Sequence, residues 1–355
     1  MTRTPLVTVC VPTYNRAGYL AQCLEAIRRQ THEAFELLVL DNASTDETPQ
    51  VVQRLADARL RYIRQPENLG QIPNVNRGLE LAAGEFVCIC HDDDIWAPTF
   101  LERQLAAMRR DPSVAFSHTA VWLCTEAGAA RGVHRVEARD YLRNGREAFL
   151  RYLAFGHDVV FSTAMVRRAA YQQAGPFDAR YLCADFDMWL RLALQGDVAY
   201  VAEPLAGYRI HAASASSGMT AVRWFHEYFE IFDRALALGR RQLPELTGLE
   251  ERLRRRARRY QARRARIEAA ACLAAGNDAA AVEYLGAAAR LDPSFAGSAA
   301  NGLLRLCRNA AGHHVLGGIR NVRRRFGAAT RDNWWNEALR DKPQRGHKPL
   351  TMAGR

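Results

Sequence analysis

Three short apolar runs, each breaking off into a polar cluster, constrain this chain more than any other feature. Residues 6–11 lead into Pro12-Thr13-Tyr14-Asn15-Arg16, residues 35–40 into Asp41-Asn42-Ala43-Ser44-Thr45-Asp46, and residues 86–90 into His91-Asp92-Asp93-Asp94. Short β-rich apolar runs of this kind read as buried strands. Between the first two, Leu20, Leu24 and Ile27 recur at helical spacing. Strands followed by helices in this rhythm imply parallel pairing through right-handed crossovers, hence an α/β fold. In such sheets ligands bind beyond the carboxyl ends of the strands. All three polar clusters sit there, so they converge on one rim.

The Asp92–Asp94 triplet is the sharpest of the three. Consecutive carboxylates at the end of a buried strand repel one another and must be paired or bound. A hard divalent cation is the usual solution, with oxygen ligands from one or two carboxylates and from substrate phosphates. A solvated acidic turn is the plainer alternative for the triplet taken alone.

Taken together, the segments Val-Pro-Thr-Tyr-Asn-Arg, Asp-Asn-Ala-Ser-Thr-Asp, Asn68-Leu-Gly70 and His-Asp-Asp-Asp-Ile-Trp resemble the family 2 glycosyltransferases of the GT-A fold. Gly175-Pro-Phe-Asp178 through Asp185-Phe-Asp-Met-Trp-Leu-Arg191 resembles the acceptor-side motif of that family, and Tyr208-Arg-Ile-His211 a further element. The similarity covers about residues 5–215 of the chain. It implies a Rossmann-like, mixed but mostly parallel sheet flanked by helices.

The resemblance also implies roles. Pro12, Tyr14 and Asn15 match the loop that shapes and stacks on the nucleotide base. Asp41 matches a carboxylate accepting a hydrogen bond from the base, a role suited to an acceptor-only group facing a ring N–H. Arg77 matches a basic position near the diphosphate, with an ordinary exposed helix arginine as the equal alternative. Asn68 and Gly70 match a turn in which glycine supplies positive φ.

Relatives usually carry Asp-x-Asp-Asp where this chain begins with His91, which leaves the register open by one residue. Asp93 is the expected metal ligand under either alignment. Asp92 and Asp94 are assigned to the ribose, the metal or its water shell, and His91 either to the metal or to a neighbouring carboxylate. His211 matches a histidine that returns to the metal or diphosphate. The implied cofactor is Mg²⁺ or Mn²⁺.

An inverting sugar transfer also needs a base for the acceptor hydroxyl, and a positioned carboxylate is the natural one. The motif implies Asp185, preceded here by Ala184 where relatives carry Glu, with Asp187 as the second candidate. A helix N-cap is the structural alternative for Asp185, because Asp favours that position and an amphipathic pattern follows over 186–195.

Composition adds a second part. Residues 1–218 hold 23 basic against 25 acidic side chains, whereas residues 219–355 hold 26 against 13. The whole net charge of +11 therefore belongs to the C-terminal part. Nine arginines fall between 252 and 266, in a stretch expected to be one helix. The stretch 262–295 resembles one tetratricopeptide-like hairpin: helix, Gly-Asn turn, helix and Pro stop. The expected domains are 1–218 (GT-A transferase), 219–339 (helical basic extension) and 340–355 (disordered tail). A second basic segment, 319–326, has the composition of a short membrane-surface helix.

No apolar run reaches 18 residues and no signal-peptide pattern opens the chain, so the expectation is a cytoplasmic protein. The basic extension offers peripheral contact with the inner membrane face. Eight scattered cysteines without Cys-x-x-Cys spacing read as reduced structural thiols.

Three classes account for these features. A sugar-nucleotide pyrophosphorylase would carry a Gly-rich basic loop after the first strand, and Pro12–Arg16 is not one. A non-catalytic nucleotide-binding scaffold acting through its basic tail has no need for Asp41, Asp93 and Asp185 together. The favoured reading is a metal-dependent inverting transferase. Its expected partners are a UDP-, GDP- or dTDP-sugar donor and a glycan or lipid-linked acceptor in cell-surface polysaccharide or glycolipid assembly. Nucleic acid is not an expected partner.

Overall fold

The computed structural model describes residues 6–211, 221–274 and 276–293. The basic segment 319–326 and the tail 340–355 lie outside the described residues. By contacts the chain forms two compact units, one of residues 6–211 with Ile231–Leu246, the other of residues 221–230 with 247–293.

The first unit opens with β1 (Val7–Thr13), α1 (Ala17–Arg28), β2 (Phe35–Asp41), α2 (Thr48–Leu55), β3 (Leu60–Arg64), α3 (Gln71–Leu81) and β4 (Phe86–Ile89). There follow β5 (Ile95–Trp96), α4 (Phe100–Met108), β6 (Val114–Cys124), β7 (Ala130–His134), β8 (Tyr141–Arg143) and α5 (Gly145–Phe155). A single 3₁₀ turn (Phe161–Thr163) precedes β9 (Met165–Arg167), α6 (Arg168–Ala174), α7 (Ala184–Ala193) and β10 (Asp197–Arg209). The sheet order is β3-β2-β1-β4-β9-β6-β10-β5, with β7 beside β6 and β8 beside β10. Six strands, β1, β2, β3, β4, β6 and β10, run one way, and the short β5, β7, β8 and β9 run the other. The sheet is therefore mixed and mostly parallel, with helices against it.

Burial explains the pattern. Every residue of β1 and β4 is buried, as expected for a parallel strand covered on both faces. Helix α1 turns Leu20, Cys23, Leu24 and Ile27 into the core, at the predicted helical spacing. One core cluster joins these to Val7, Val9, Val11, Leu37, Val39, Phe86 and Trp96. The α3–β4 turn is tight: a Cβ added to Gly84 would lie 2.6 Å from the Thr8 backbone nitrogen. Seven described cysteines are free, and Cys23 and Cys90 meet at 3.7 Å as thiols.

The helices α8 (Ala221–Gly239), α9 (Leu246–Ala274) and α10 (Asp278–Leu291) complete the described chain. In the second unit Phe225, Ala265, Ala287 and Ala288 form a small core, and Arg264 lies over the Trp224 ring at 5.3 Å. Asn277 caps α10 by accepting from the Ala280 amide at 3.2 Å. All nine arginines of 252–266 belong to α9, and Arg252, Arg255, Arg258 and Arg259 are exposed. Among the described residues no helix is long and apolar enough to cross a membrane.

Candidate active site

Strand pairing brings the predicted clusters together. Thr13 stands opposite Asp41 in the β1–β2 pair, and the Cys90 amide donates to the Cys10 carbonyl at 2.9 Å. The acidic triplet is the turn that joins β4 to β5. Because β5 pairs antiparallel with β10 (Ile95 opposite Gly207), the end of β10 is drawn back to the triplet.

The triplet is enclosed: Asp92, Asp93 and Asp94 are 3%, 8% and 2% exposed. Thr13 Oγ1 donates to Asp92 at 2.7 Å. Arg16 Nη1 bridges Asp92 at 3.2 Å and Asp93 at 2.8 Å. Arg209 donates its Nε to the Asp93 carbonyl at 2.8 Å and its amide to Asp94 at 3.2 Å. His211 Nε2 lies 2.9 Å from the Asp93 oxygen that Arg16 also holds. Burial pushes the Asp92 carboxyl up to about 6, against the pull of Arg16 and Thr13. Burial and the neighbouring Asp93 charge push Asp94 up to about 7.

His91 faces the same turn. Its ring stacks on Phe161 at 4.7 Å, its amide donates to Ser162 Oγ at 3.0 Å, and its buried Nε2 has no hydrogen-bond partner. Burial holds its pKa below the usual imidazole range, which keeps it neutral and able to ligate. Ligand atoms of His91, Asp93 and Asp94 lie within 4.8 Å of one another. Two carboxylates beside an orphaned imidazole nitrogen make a donor set that fits a divalent cation, the carboxylate oxygens being the ligands that suit Mg²⁺ or Mn²⁺.

The base-side cluster is a set of interlocked turns. Asn15 takes positive φ (53°), donates its amide to Ser44 Oγ at 3.0 Å and accepts from the Thr45 amide at 2.7 Å. Asp41 is fully buried, accepting from the Ser44 amide at 2.9 Å and from the Tyr62 hydroxyl, with Arg64 Nε at 3.7 Å. Pro12 is buried in β1, opposite Leu40, whereas Tyr14 is 43% exposed. Asn68 accepts from Asn42 at 2.7 Å and from the Gly70 amide at 2.9 Å, with Gly70 at φ 86°. Arg77 donates to Glu80 at 2.9 Å on the exposed side of α3.

At the acceptor-side motif the N-cap reading of Asp185 needs correction. Helix α7 starts at Ala184 with Cys183 as its cap, so Asp185 sits inside the first turn, where the helix dipole favours a carboxylate. The helix also ends earlier than the expected 195, at Ala193. Asp187 is ruled out as an open carboxylate: it is 1% exposed and pairs with Arg191 at 2.7 Å and Arg234 at 3.6 Å. The Asp185 side chain is 27% exposed, and its charge reaches His91. His157 Nε2 lies 3.5 Å from Asp185 Oδ2.

Several of these groups escaped the sequence reading. Arg16 and Arg209 fall within motifs that assign them no role, and their spacing from the triplet (76 and 116 residues) leaves no local signal. Ser162 and His157 come from the segment between α5 and β9, which carries no motif.

A rim of buried carboxylates and imidazoles at the ends of parallel strands, with one open carboxylate at a helix start, defines a nucleotide-handling α/β enzyme. Residues 8–175 match the model of glycosyl transferase family 2. The chain is 30% identical over 220 residues to TuaG of Bacillus subtilis (strain 168), named as a teichuronic acid biosynthesis glycosyltransferase, covering 60% of this chain and 82% of that one. It is 28% identical to EpsH of the same organism, named as a glycosyltransferase, over 59% of this chain and 62% of that one. Among solved structures, S. aureus TarS 1-349 in complex with UDP-GlcNAc superposes with a TM-score of 0.57 at 19% identity, covering 72% and 71% of the two chains. The Pyrobaculum calidifontis mannosyltransferase PcManGT, with GDP-Man and Mn²⁺, gives 0.50 at 20%, covering 90% and 88%. This chain belongs to glycosyltransferase family 2 and has the GT-A fold.

Proposed function

We propose that this enzyme transfers a sugar, with inversion, from a nucleoside-diphosphate sugar to an acceptor hydroxyl during assembly of a cell-surface polysaccharide or glycolipid. The observation that carries the reading is the meeting, on one rim, of an enclosed His91–Asp93–Asp94 donor set with the half-open Asp185. The names of TuaG and of the UDP-GlcNAc and GDP-Man complexes support the substrate class.

Each residue has a task in this reading. Asp185 removes the proton of the acceptor hydroxyl as that oxygen attacks the anomeric carbon from the face opposite the diphosphate. One carboxylate acting once gives inversion. His91, Asp93 and Asp94 would hold Mg²⁺ or Mn²⁺, whose charge would stabilise the departing diphosphate. His211 and Arg209 steady Asp93 and Asp94, while Thr13 and Asp92 face the ribose side. Tyr14 supplies an exposed ring for the base. Asp41 accepts the base N–H once the Tyr62 hydroxyl gives way, since the carboxylate is fully enclosed now. Asn15, through Ser44 and Thr45, fixes that turn, and Arg77 exchanges Glu80 for the diphosphate. The exposed arginines of α9 suit peripheral contact with an anionic inner membrane face, where a lipid-linked acceptor would lie.

A thermal-shift panel of UDP, GDP, dTDP and CDP, each with Mn²⁺ and with EDTA, tests the reading. A ligand at 100 times its Kd stabilises the fold by about 2.7 kcal/mol. A Mn²⁺-dependent shift with one nucleotide is expected. No shift with any of them would favour a non-catalytic scaffold.

A further inference from the structure

His157 lies 28 residues from Asp185 in sequence, yet its Nε2 stands 3.5 Å from the Asp185 Oδ2. Its Nδ1 lies 3.1 Å from the Val159 carbonyl. A carbonyl only accepts, so the Nδ1 atom carries the proton and Nε2 is left as the nitrogen that faces the carboxylate. The ring is also held flat against Phe186, the residue after Asp185, with centroids 5.6 Å apart and planes 22° apart. The side chain is only 15% exposed. Nothing in the sugar-transfer chemistry described above uses this imidazole.

A bare Nε2 lone pair pointing at a carboxylate is unfavourable, so the arrangement has room for one proton between the two groups. We propose that His157 is a positioning residue for Asp185, steering its carboxylate and receiving the proton that it takes from the acceptor. This rests on the reading of Asp185 as the base. The acceptor O–H bond breaks, its proton goes to an Asp185 oxygen, and the electron pair left behind forms the bond to the anomeric carbon. The bond from that carbon to the diphosphate breaks with its pair on the departing oxygen. The proton then passes from Asp185 to His157 Nε2, leaving carboxylate and imidazolium as an ion pair, and solvent removes it before the next turnover.

The gain is thermodynamic. In water a carboxylic acid is a stronger acid than an imidazolium by about 2.6 pKa units, so the imidazole is the better resting place for the proton, which is not handed back to the sugar oxygen. The separation of 3.5 Å needs only a small side-chain rotation, and such bonds often tighten in the substrate complex. The Asp185 charge reaches His91, and His157 is within electrostatic reach of His118, around which Asp158, Arg143 and His134 also act. Burial drives His118 to about 3, so it stays neutral and does not compete for the proton.

The first arm of the test needs no substrate. In the full ¹⁵N-labelled chain, long-range proton–nitrogen spectra report the tautomer of each histidine, and His157→Gln identifies the His157 signals by their loss. The expected result is the Nδ1–H tautomer, with Nε2 titrating and a midpoint that falls by at least about half a unit in Asp185→Asn. The Nε2–H tautomer, or a midpoint that Asp185→Asn does not move, overturns the proposal. The second arm follows release of nucleotide from UDP-GlcNAc and GDP-mannose with Mn²⁺, water acting as acceptor. His157→Gln should lower kcat by at least about tenfold with donor KM unchanged. Its acidic limb should move by about one unit or more toward low pH, into the carboxylate range. If Asp185→Asn hydrolyses at the wild-type rate, the base reading itself fails. If Asp185→Asn is inactive while His157→Gln keeps both kcat and pH profile, only the role of His157 fails. If neither sugar nucleotide is hydrolysed, the spectra decide.

Discussion

At the residue scale, Asp93 is the junction of the site. One of its oxygens meets both Arg16 and His211, and its own carbonyl is held by Arg209. Asp93→Asn keeps the shape and removes the charge, so Mn²⁺ should no longer increase nucleotide binding, while the fold persists. Isothermal titration with and without EDTA checks this; an undiminished Mn²⁺ effect would move the ligand role to Asp92. Asp185 is a different case, because it is half open and makes no contact with the triplet's carboxylates in the hydrogen bonds described. Asp185→Asn should bind nucleotide normally and lose turnover by about 10²–10⁴-fold, the usual range for a removed general base. Near-normal turnover would sink the assignment. Asp93 was legible as a carboxylate at the end of a buried apolar run, whereas Asp185 was implied only by the resemblance of its segment to the family's acceptor-side motif. Arg16 and His157 were not, because their partners are far away in sequence and only the folded sheet brings them near.

At the element scale, two joints are tight, one at the foot of β1 and β4 and one beside the acceptor-side helix. The turn into β4 leaves no space at Gly84, where a Cβ would fall 2.6–2.9 Å from backbone atoms of Val7, Thr8 and Phe86. Backbone cannot yield as a side chain can, so Gly84→Ala should destabilise the fold by about 1–3 kcal/mol. Thermal or urea unfolding reads it, and an unchanged midpoint would contradict the close approach. The second joint is Arg191, buried with Asp187 and donating to the carbonyls of Ala174, Gly175 and Pro176, which fastens α7 to the end of α6. Arg191→Met takes from the buried Asp187 its nearer guanidinium and leaves Arg234 at 3.6 Å, and breaking such a pair typically costs about 3–5 kcal/mol. The short parallel strands β1, β2 and β4 could be read from their apolar runs, and α1 and the α9–turn–α10 pattern from spacing and turn residues. The sheet's other half could not. Strands β5, β8 and β9 have two or three residues each, too few for a period, and the first half of β10 exists because β6 and β8 pair with it.

At the scale of the whole molecule, the site sets how stability depends on pH. Asp92 and Asp94 bind their protons more tightly in the folded chain, at about 6 and about 7, than an unfolded Asp does at about 3.9. Folding is therefore favoured while they are protonated. That contribution is complete below about pH 4 and is lost as pH rises through about 6 and 7. Asp178 has the opposite sign. Arg180 and Arg234 hold its carboxyl well below the usual range, so its contribution is present above about pH 4 and lost in acid. The metal-free protein should thus be most stable near about pH 5 and weaken toward pH 8 by an amount on the order of a few kcal/mol, one pKa unit being about 1.4 kcal/mol. A cation held by His91, Asp93 and Asp94 competes with those protons and offsets the repulsion among the carboxylates. The stabilisation by Mn²⁺ relative to EDTA should then be small at pH 5.5 and grow steadily to pH 8. Thermal unfolding in both buffers across that range measures it. A difference that stays constant with pH would mean that the buried carboxylates are not what the cation meets.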